Sequence, residues 1–264
     1  MAKVRLDALL TERGLFRSRS RAAASVLAGE VRLHSGEPAR KPGQLVADDV
    51  ELEVAAPPPY VSRGGIKLAN ALDASGVDPQ GRHALDVGAS TGGFTDCLLQ
   101  RGAAHVVAYD VAYGELDWRL RTDPRVTVIE RRNARDLRAD ELPYRPDLIV
   151  LDVSFISLTK VLPAVIAAAA PRYDCLAMIK PQFEAGREQV GSGGVVRDPA
   201  VRRGALVRVA DAARALGAAV QGFASSGLPG PKGNRETFVH LAEGARGGVE
   251  DLRAAASEVE DRAS

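Results

Sequence analysis

The run Leu85-Asp86-Val87-Gly88-Ala89-Ser90-Thr91-Gly92-Gly93-Phe94 decides the architecture. An apolar strand ends in it and a helix is expected to open near Phe94, so the glycines fall in a strand-to-helix turn. An open α/β sheet binds its ligand at such a turn. A dinucleotide fingerprint needs a second glycine two positions after the first, but position 90 is serine, and no Gly-Lys-Ser/Thr follows to make a phosphate loop. The turn therefore disfavours nicotinamide cofactors and polyphosphates, although a tight turn with no ligand would use the same glycines.

Outward from this turn, short apolar runs at 84–87, 106–109, 126–129, 148–152 and 175–179 alternate with helical patterns, which predicts a parallel, doubly wound sheet. Two more strands are expected at 219–224 and 237–241, after an Ala- and Arg-rich helix over 200–216. Asp110 ends the second strand, where a carboxylate can accept hydrogen bonds from a ribose. Asn133 and Ala134 follow the third strand and can face an adenine. Together these positions fit an adenosyl ligand without phosphates, S-adenosylmethionine. Its contacts are expected at Asp86, Gly88, Ala89, Ser90, Thr91, Gly92, Gly93, Phe94, Asp110, Asn133, Ala134 and Asp152. Asp152 and Lys180 end the fourth and fifth strands, so both face one crevice unless Lys180-Pro181 is only a solvated strand end. Lys67 and Glu236, taken singly, read as surface charges.

The 264 residues are 45% hydrophobic and 26% charged, an ordinary composition for a soluble globular protein. Lys plus Arg (35) nearly balances Asp plus Glu (34), so any attraction to nucleic acid must be local. It is local: residues 1–45 hold nine basic side chains against four acidic ones. Leu6, Leu9 and Leu10 sit at helical spacing before Gly14, and Ser18 can cap a second helix ending at Gly29. Strands are expected at 31–33 and 50–54, with turns at Ser35-Gly36 and Asp48-Asp49. This is a small α+β module, followed by the stiff Pro57-Pro58-Pro59. Arg5, Arg17, Arg19, Arg21 and Lys41 are its candidate RNA contacts, although arginines on a solvated face would look alike. The two cysteines, Cys97 and Cys175, make neither a disulfide framework nor a zinc site, and no metal is expected. With no signal core and no apolar run near the ~20 residues that span a bilayer, the expected compartment is the cytoplasm.

Four segments carry a family resemblance: Val61-Ser-Arg-Gly-Gly-Ile-Lys-Leu68, Leu85 through Phe94, Asp152-Val-Ser-Phe-Ile-Ser157 and Ile179-Lys-Pro-Gln-Phe183. The chain resembles the TlyA family of ribosomal RNA methyltransferases over residues 1 to about 242. The resemblance implies an S-four-type RNA-binding domain at 1–56, a linker at 57–65, an FtsJ-like domain at 66–245 with the Rossmann-like class I methyltransferase fold, and a polar tail at 246–264. It also implies a catalytic tetrad of Lys67, Asp152, Lys180 and Glu236, and S-adenosylmethionine as cofactor. The expected substrate is the 2′-hydroxyl of a cytidine ribose in rRNA within ribosomal subunits, the large and by this module's length also the small, with neither DNA nor membrane as partner. Family linkers often carry a tryptophan-bearing motif near the first lysine, and Arg63-Gly64-Gly65-Ile66 stands here instead. Two rival readings remain: a haemolysin-like membrane-active protein, which would need an amphipathic or spanning element, and a non-catalytic ribosome assembly factor.

Overall fold

The computed structural model describes residues 3–27, 29–33, 37–54 and 58–262. The Ser35-Gly36 turn and Pro57, where the linker was expected to start, lie outside them. The chain divides into two compact units, Met1–Pro58 and Pro59–Ser264.

The first unit runs β1 (Lys3–Arg5), α1 (Leu6–Glu12), α2 (Arg19–Leu27), β2 (Val31–Leu33), β3 (Leu45–Ala47) and β4 (Leu52–Val54). The strands form two antiparallel pairs, β1 with β3 and β2 with β4. Leu6, Leu9 and Leu10 point inward from α1 and meet Ala22 and Val26 of α2 in a small core. Ser18 caps α2 by accepting from the Arg21 N–H, the use expected of a serine before a helix. Arg13 donates to the carbonyls of Asp48 and Val50, so this arginine pins the β3–β4 turn.

The second unit continues with α3 (Arg63–Ser75), β5 (His83–Val87), α4 (Gly93–Gln100), β6 (His105–Tyr109), α5 (Trp118–Arg121), β7 (Val126–Ile129), β8 (Leu148–Leu151), α6 (Leu162–Ala168), β9 (Asp174–Ile179), α7 (Pro181–Glu184), α8 (Pro199–Ala215), β10 (Ala218–Ser225), β11 (Thr237–Glu243) and α9 (Leu252–Arg262). Seven strands make one sheet in the order β10-β11-β9-β8-β5-β6-β7. The five adjacent strands from β9 to the β7 edge are parallel, whereas β11 is antiparallel to both β9 and β10. The sheet is thus mixed, not wholly parallel.

Alternation along the strands sends side chains to two buried layers. Leu85, Val87, Ile149 and Leu151 enter a core with α6, α8 and α9, while Ala84, Leu148 and Val150 enter another with α3 and α4. The chain moves outward from β5 to β7, then returns with β8 on the other side of β5. That reversal leaves a crevice beyond the carboxyl ends of β5 and β8.

Two expectations need correction. The stretch taken as a polar tail forms α9, whose Leu252, Ala256 and Val259 are buried. Buried Glu260 accepts from Arg202 Nε of α8 at 2.8 Å and pairs with the Nη2 of the same guanidinium at 2.7 Å. The expected linker overlaps structure as well: α3 begins at Arg63, with Ser62 accepting from the Gly64 N–H as its cap.

Candidate active site

Gly88 follows β5 with φ 85°, in the left-handed region that favours glycine. A Cβ there would lie 2.6 Å from the Asp152 carbonyl oxygen, so the glycine turn and the end of β8 are in direct backbone contact. The backbone partner, more than a ligand, dictates glycine at this position. Ser90 also has a positive φ, 47°, and is held from two sides: its N–H donates to Asp110 Oδ2 at 2.7 Å and its hydroxyl to Glu115 Oε2 at 3.0 Å. Gly92 caps α4, and at Gly93 a Cβ would collide with Ser62 Oγ, which lets the first turns of α3 and α4 pack closely.

Two cavities meet at this turn. One, of about 370 Å³, is lined by Ser62, Arg63, Gly64, Lys67, Gly88, Ala89, Ser90, Thr91, Gly93, Phe94, Asp152 and Pro231. The other, of about 1010 Å³, takes in Gly88, Ser90, Tyr109, Asp110, Asn133, Ala134, Asp152, Ser154, Phe155 and Phe183 among its walls. Gly88, Ser90 and Asp152 belong to both.

Most residues expected to hold a cofactor therefore surround one crevice. Asp86 does not: it is fully buried on the α4 side of the sheet, where its Oδ2 accepts from Thr95 Oγ1 at 2.7 Å and its Oδ1 has no hydrogen-bond partner. Burial pushes its carboxyl up to about 7 against the pull of the Thr95 hydrogen bond. The cause is strand parity, which turns Asp86 away from the face that Leu85 and Val87 share. Asp86 is a support beneath the turn. Asp110 reaches the crevice with both oxygens already accepting backbone N–H groups, from Ser90 and Ala112. It braces the turn, and each oxygen keeps a second lone pair for a ligand. Asn133 likewise uses its side chain to cap a short 3₁₀ turn, accepting from the Arg135 N–H at 3.1 Å.

The four residues assigned to the tetrad form two ion pairs. Lys67 Nζ, on the second turn of α3, lies 2.5 Å from Glu236 Oε2 beside β11, with both side chains buried. Lys180 Nζ lies 2.5 Å from Asp152 Oδ1, a charge contact off the axis of a hydrogen bond. Its aligned acceptor is Ser154 Oγ at 2.7 Å. Lys67 and Asp152 line the smaller cavity together. Lys180 is largely covered and meets the crevice wall through Asp152 and Ser154. Among the described residues no group of three or more His, Cys, Asp or Glu is arranged to hold a metal ion.

Ser62, Ser154, Phe155 and Phe183 are site residues that spacing alone does not single out. Phe155 is 92% exposed with φ 62°, and its ring centroid stands 5.3 Å from that of Phe183. The aromatic beside the first lysine is Tyr60, whose ring fills the space where a Gly65 Cβ would fall. Its neighbours are tied to α4, with the Val61 N–H donating to Asp96 and Gln100 donating to the Pro59 carbonyl. Arg63-Gly64-Gly65-Ile66 is accordingly the first turn of a helix.

In the first unit, the candidate RNA contacts divide. Arg5 binds Asp7 through two nitrogens, at 2.8 and 3.1 Å, and Arg19 reaches the same carboxylate at 3.2 Å. The Arg5 hydrogen bonds hold the Asp7 carboxyl down at about 2. Arg17, Arg21 and Lys41 are exposed and make no ion pair among the described residues.

The FtsJ-like methyltransferase family model matches residues 60–243. The chain is 51% identical over 241 residues to the 16S/23S rRNA (cytidine-2'-O)-methyltransferase TlyA of Mycobacterium tuberculosis, 90% of each chain. It is 39% identical over 242 residues to Hemolysin A of Brachyspira hyodysenteriae, 90% of this chain and 99% of that one. A solved structure of a candidate hemolysin from Streptococcus thermophilus is similar over 100% of this chain and 96% of that one, with 39% identity and a TM-score of 0.76.

Proposed function

The chain belongs to the FtsJ-like methyltransferases and, within them, to the TlyA rRNA methyltransferases, and from that premise we propose that it methylates the 2′-hydroxyl of a cytidine ribose in ribosomal RNA with S-adenosylmethionine as donor. The observation that carries this reading is the pair of ion pairs, Lys67–Glu236 and Lys180–Asp152, set beside a glycine turn at the sheet's switch point. The crevice suits the cofactor: open volume runs from the turn past Asp110 to Asn133 and Ala134. When bound, the cofactor supplies a methyl group activated on a positive sulfur.

The chain's own residues have the remaining work. A 2′-hydroxyl is a weak acid that must lose its proton as the new carbon–oxygen bond forms, so a positioned acceptor lowers the barrier. We assign that acceptor to Lys180, with Asp152 holding its amine. Lys67 and Glu236 position the ribose and close the hydrogen-bond network. Fixing the hydroxyl in line with the methyl carbon supplies much of the rate. The exposed Phe155, next to Ser154, offers a face on which an unstacked base can lie.

RNA capture falls to the first unit, through Arg17, Arg21 and Lys41, with Arg5 and Arg19 contributing what Asp7 leaves free. An assembled subunit as substrate places the protein in the cytoplasm. Among the described residues no helix is long and apolar enough to cross a membrane. The deciding experiment incubates the protein with methyl-labelled cofactor and separate small and large ribosomal subunits, then maps the modified riboses. Label on a cytidine 2′-oxygen in either subunit is expected. Subunit binding without any transfer would favour an assembly factor and reject the enzyme reading.

A further inference from the structure

We propose that Ser154 is a positioning residue for methyl transfer: its hydroxyl, on a loop tied to α7 a few residues further on, fixes the direction in which the Lys180 amine points. The proposal rests on the reading of Lys180 as proton acceptor. Of the two groups that touch Nζ, Asp152 approaches to 2.5 Å away from a hydrogen-bond axis, whereas Ser154 Oγ, at 2.7 Å, is aligned. Asp152 supplies charge and Ser154 supplies direction.

Direction matters because a neutral amine has two hydrogens and a single lone pair. With one hydrogen directed at Ser154 Oγ and the Asp152 charge drawing the other to its side, the lone pair is left facing away from both. Without Ser154 the amine rotates about its last carbon–nitrogen bond, and the lone pair faces the ribose hydroxyl for only part of the time. The cost falls on the chemical step, since nothing that binds cofactor or RNA has changed.

The serine lies on an exposed loop, which alone would place it poorly. The loop is tied down close by. Glu184, 4% exposed, accepts from Ser157 Oγ at 2.5 Å and from the Leu158 N–H at 2.8 Å. Glu184 closes α7, the short helix that starts directly after Lys180, and its carbonyl accepts from Arg208 of α8. The same helix thus follows the lysine and grips the loop that carries its hydroxyl partner. Buried Glu184, its carboxyl pushed up by burial, has no other evident task.

Single-turnover methylation of ribosomal subunits by the full-length protein tests this with Ser154→Ala, Ser154→Thr, Glu184→Gln and Lys180→Ala. Ser154→Ala should lower the rate at saturating substrate roughly five- to fiftyfold, with both KM values within about twofold of wild type. Ser154→Thr, which keeps the hydroxyl, should recover most of the rate. Glu184→Gln keeps one of two acceptors and should fall between. Unchanged melting temperatures of the serine variants serve as the fold control. A normal rate for Ser154→Ala, a loss confined to KM, or no rescue by threonine would each overturn the proposal. If Lys180→Ala is inactive while Ser154→Ala is normal, only the serine's role falls. An active Lys180→Ala removes the lysine assignment and the serine's role with it.

Discussion

Lys180, proposed as the proton acceptor, is held by charge on one side and by a hydroxyl on the other. Replacing it by alanine should leave melting, cofactor affinity and subunit binding intact while slowing methyl transfer by roughly two to four orders of magnitude, the range for a positioned acid or base. Single-turnover kinetics measure this directly. Gly88 behaves differently, because any side chain there meets the Asp152 backbone at 2.6 Å. Gly88→Ala should cost about 1 to 2 kcal/mol from the left-handed backbone alone, with more from the overlap. A urea titration showing undiminished stability would contradict this. Gly88→Ala should also weaken cofactor binding, through displaced Asp152 and not through direct obstruction of the ligand.

At the scale of elements, strands that end in functional residues can be read from the chain because buried parallel strands are short apolar runs bounded by turn residues, and Asp110, Asp152 and Lys180 each stand directly after one. Helices α3 and α9 are harder to see. The Gly64-Gly65 pair suggests a loop, yet Gly65 is small because Tyr60 lies against it, a contact no local pattern announces. In α9, Leu252, Ala256 and Val259 do sit on one face, but charged neighbours obscure it. The Glu260 partner, Arg202, is 58 residues away. Breaking that buried pair with Glu260→Ala should destabilise the protein by roughly 3 to 5 kcal/mol, and replacing both partners with apolar residues should recover much of it. Denaturant titrations of the single and double variants would check both. The three-residue strands β1 and β3 go unannounced, because β1 runs straight into α1 with no turn residue between them.

Asp174, at the start of β9, is approached by Arg82, Arg246 and His240. Burial raises its carboxyl, but the hydrogen bonds from His240 and Arg246 outweigh this and hold it at about 2. A carboxyl lowered in the folded state stabilises fully above its unfolded value near 3.9 and loses that contribution as pH falls through 2. The contribution is about 2 kcal/mol. Asp174→Asn should therefore lower stability at pH 7 and flatten its decline between pH 4 and pH 2, as read by urea titrations across that range.

Across the whole molecule, each unit has its own hydrophobic core, and every residue lining the two cavities belongs to the second. Cofactor affinity, measured by calorimetry, should survive removal of residues 1–58, while methylation of subunits should not. In the full chain, replacing Arg17, Arg21 and Lys41 by alanine should reduce the slope of log affinity against log salt by roughly two, as lost phosphate contacts release fewer counterions. An unchanged slope would make that surface a solvated face only. The order of the strands has a consequence for how the protein comes into being. The glycine turn, Asp110, Asp152 and Lys180 all precede residue 181, but Glu236 arrives just before β11, the last strand of the sheet to be synthesised. Lys67 is made early and waits, with its counter-charge still unborn, until most of the unit has left the translating ribosome. A chain halted by a premature stop before residue 236 carries the glycine turn and Lys180 without the carboxylate that pairs the first lysine. With Lys67 left unpaired, such a chain should methylate subunits far more slowly than the full-length protein, as a labelled-cofactor assay would show.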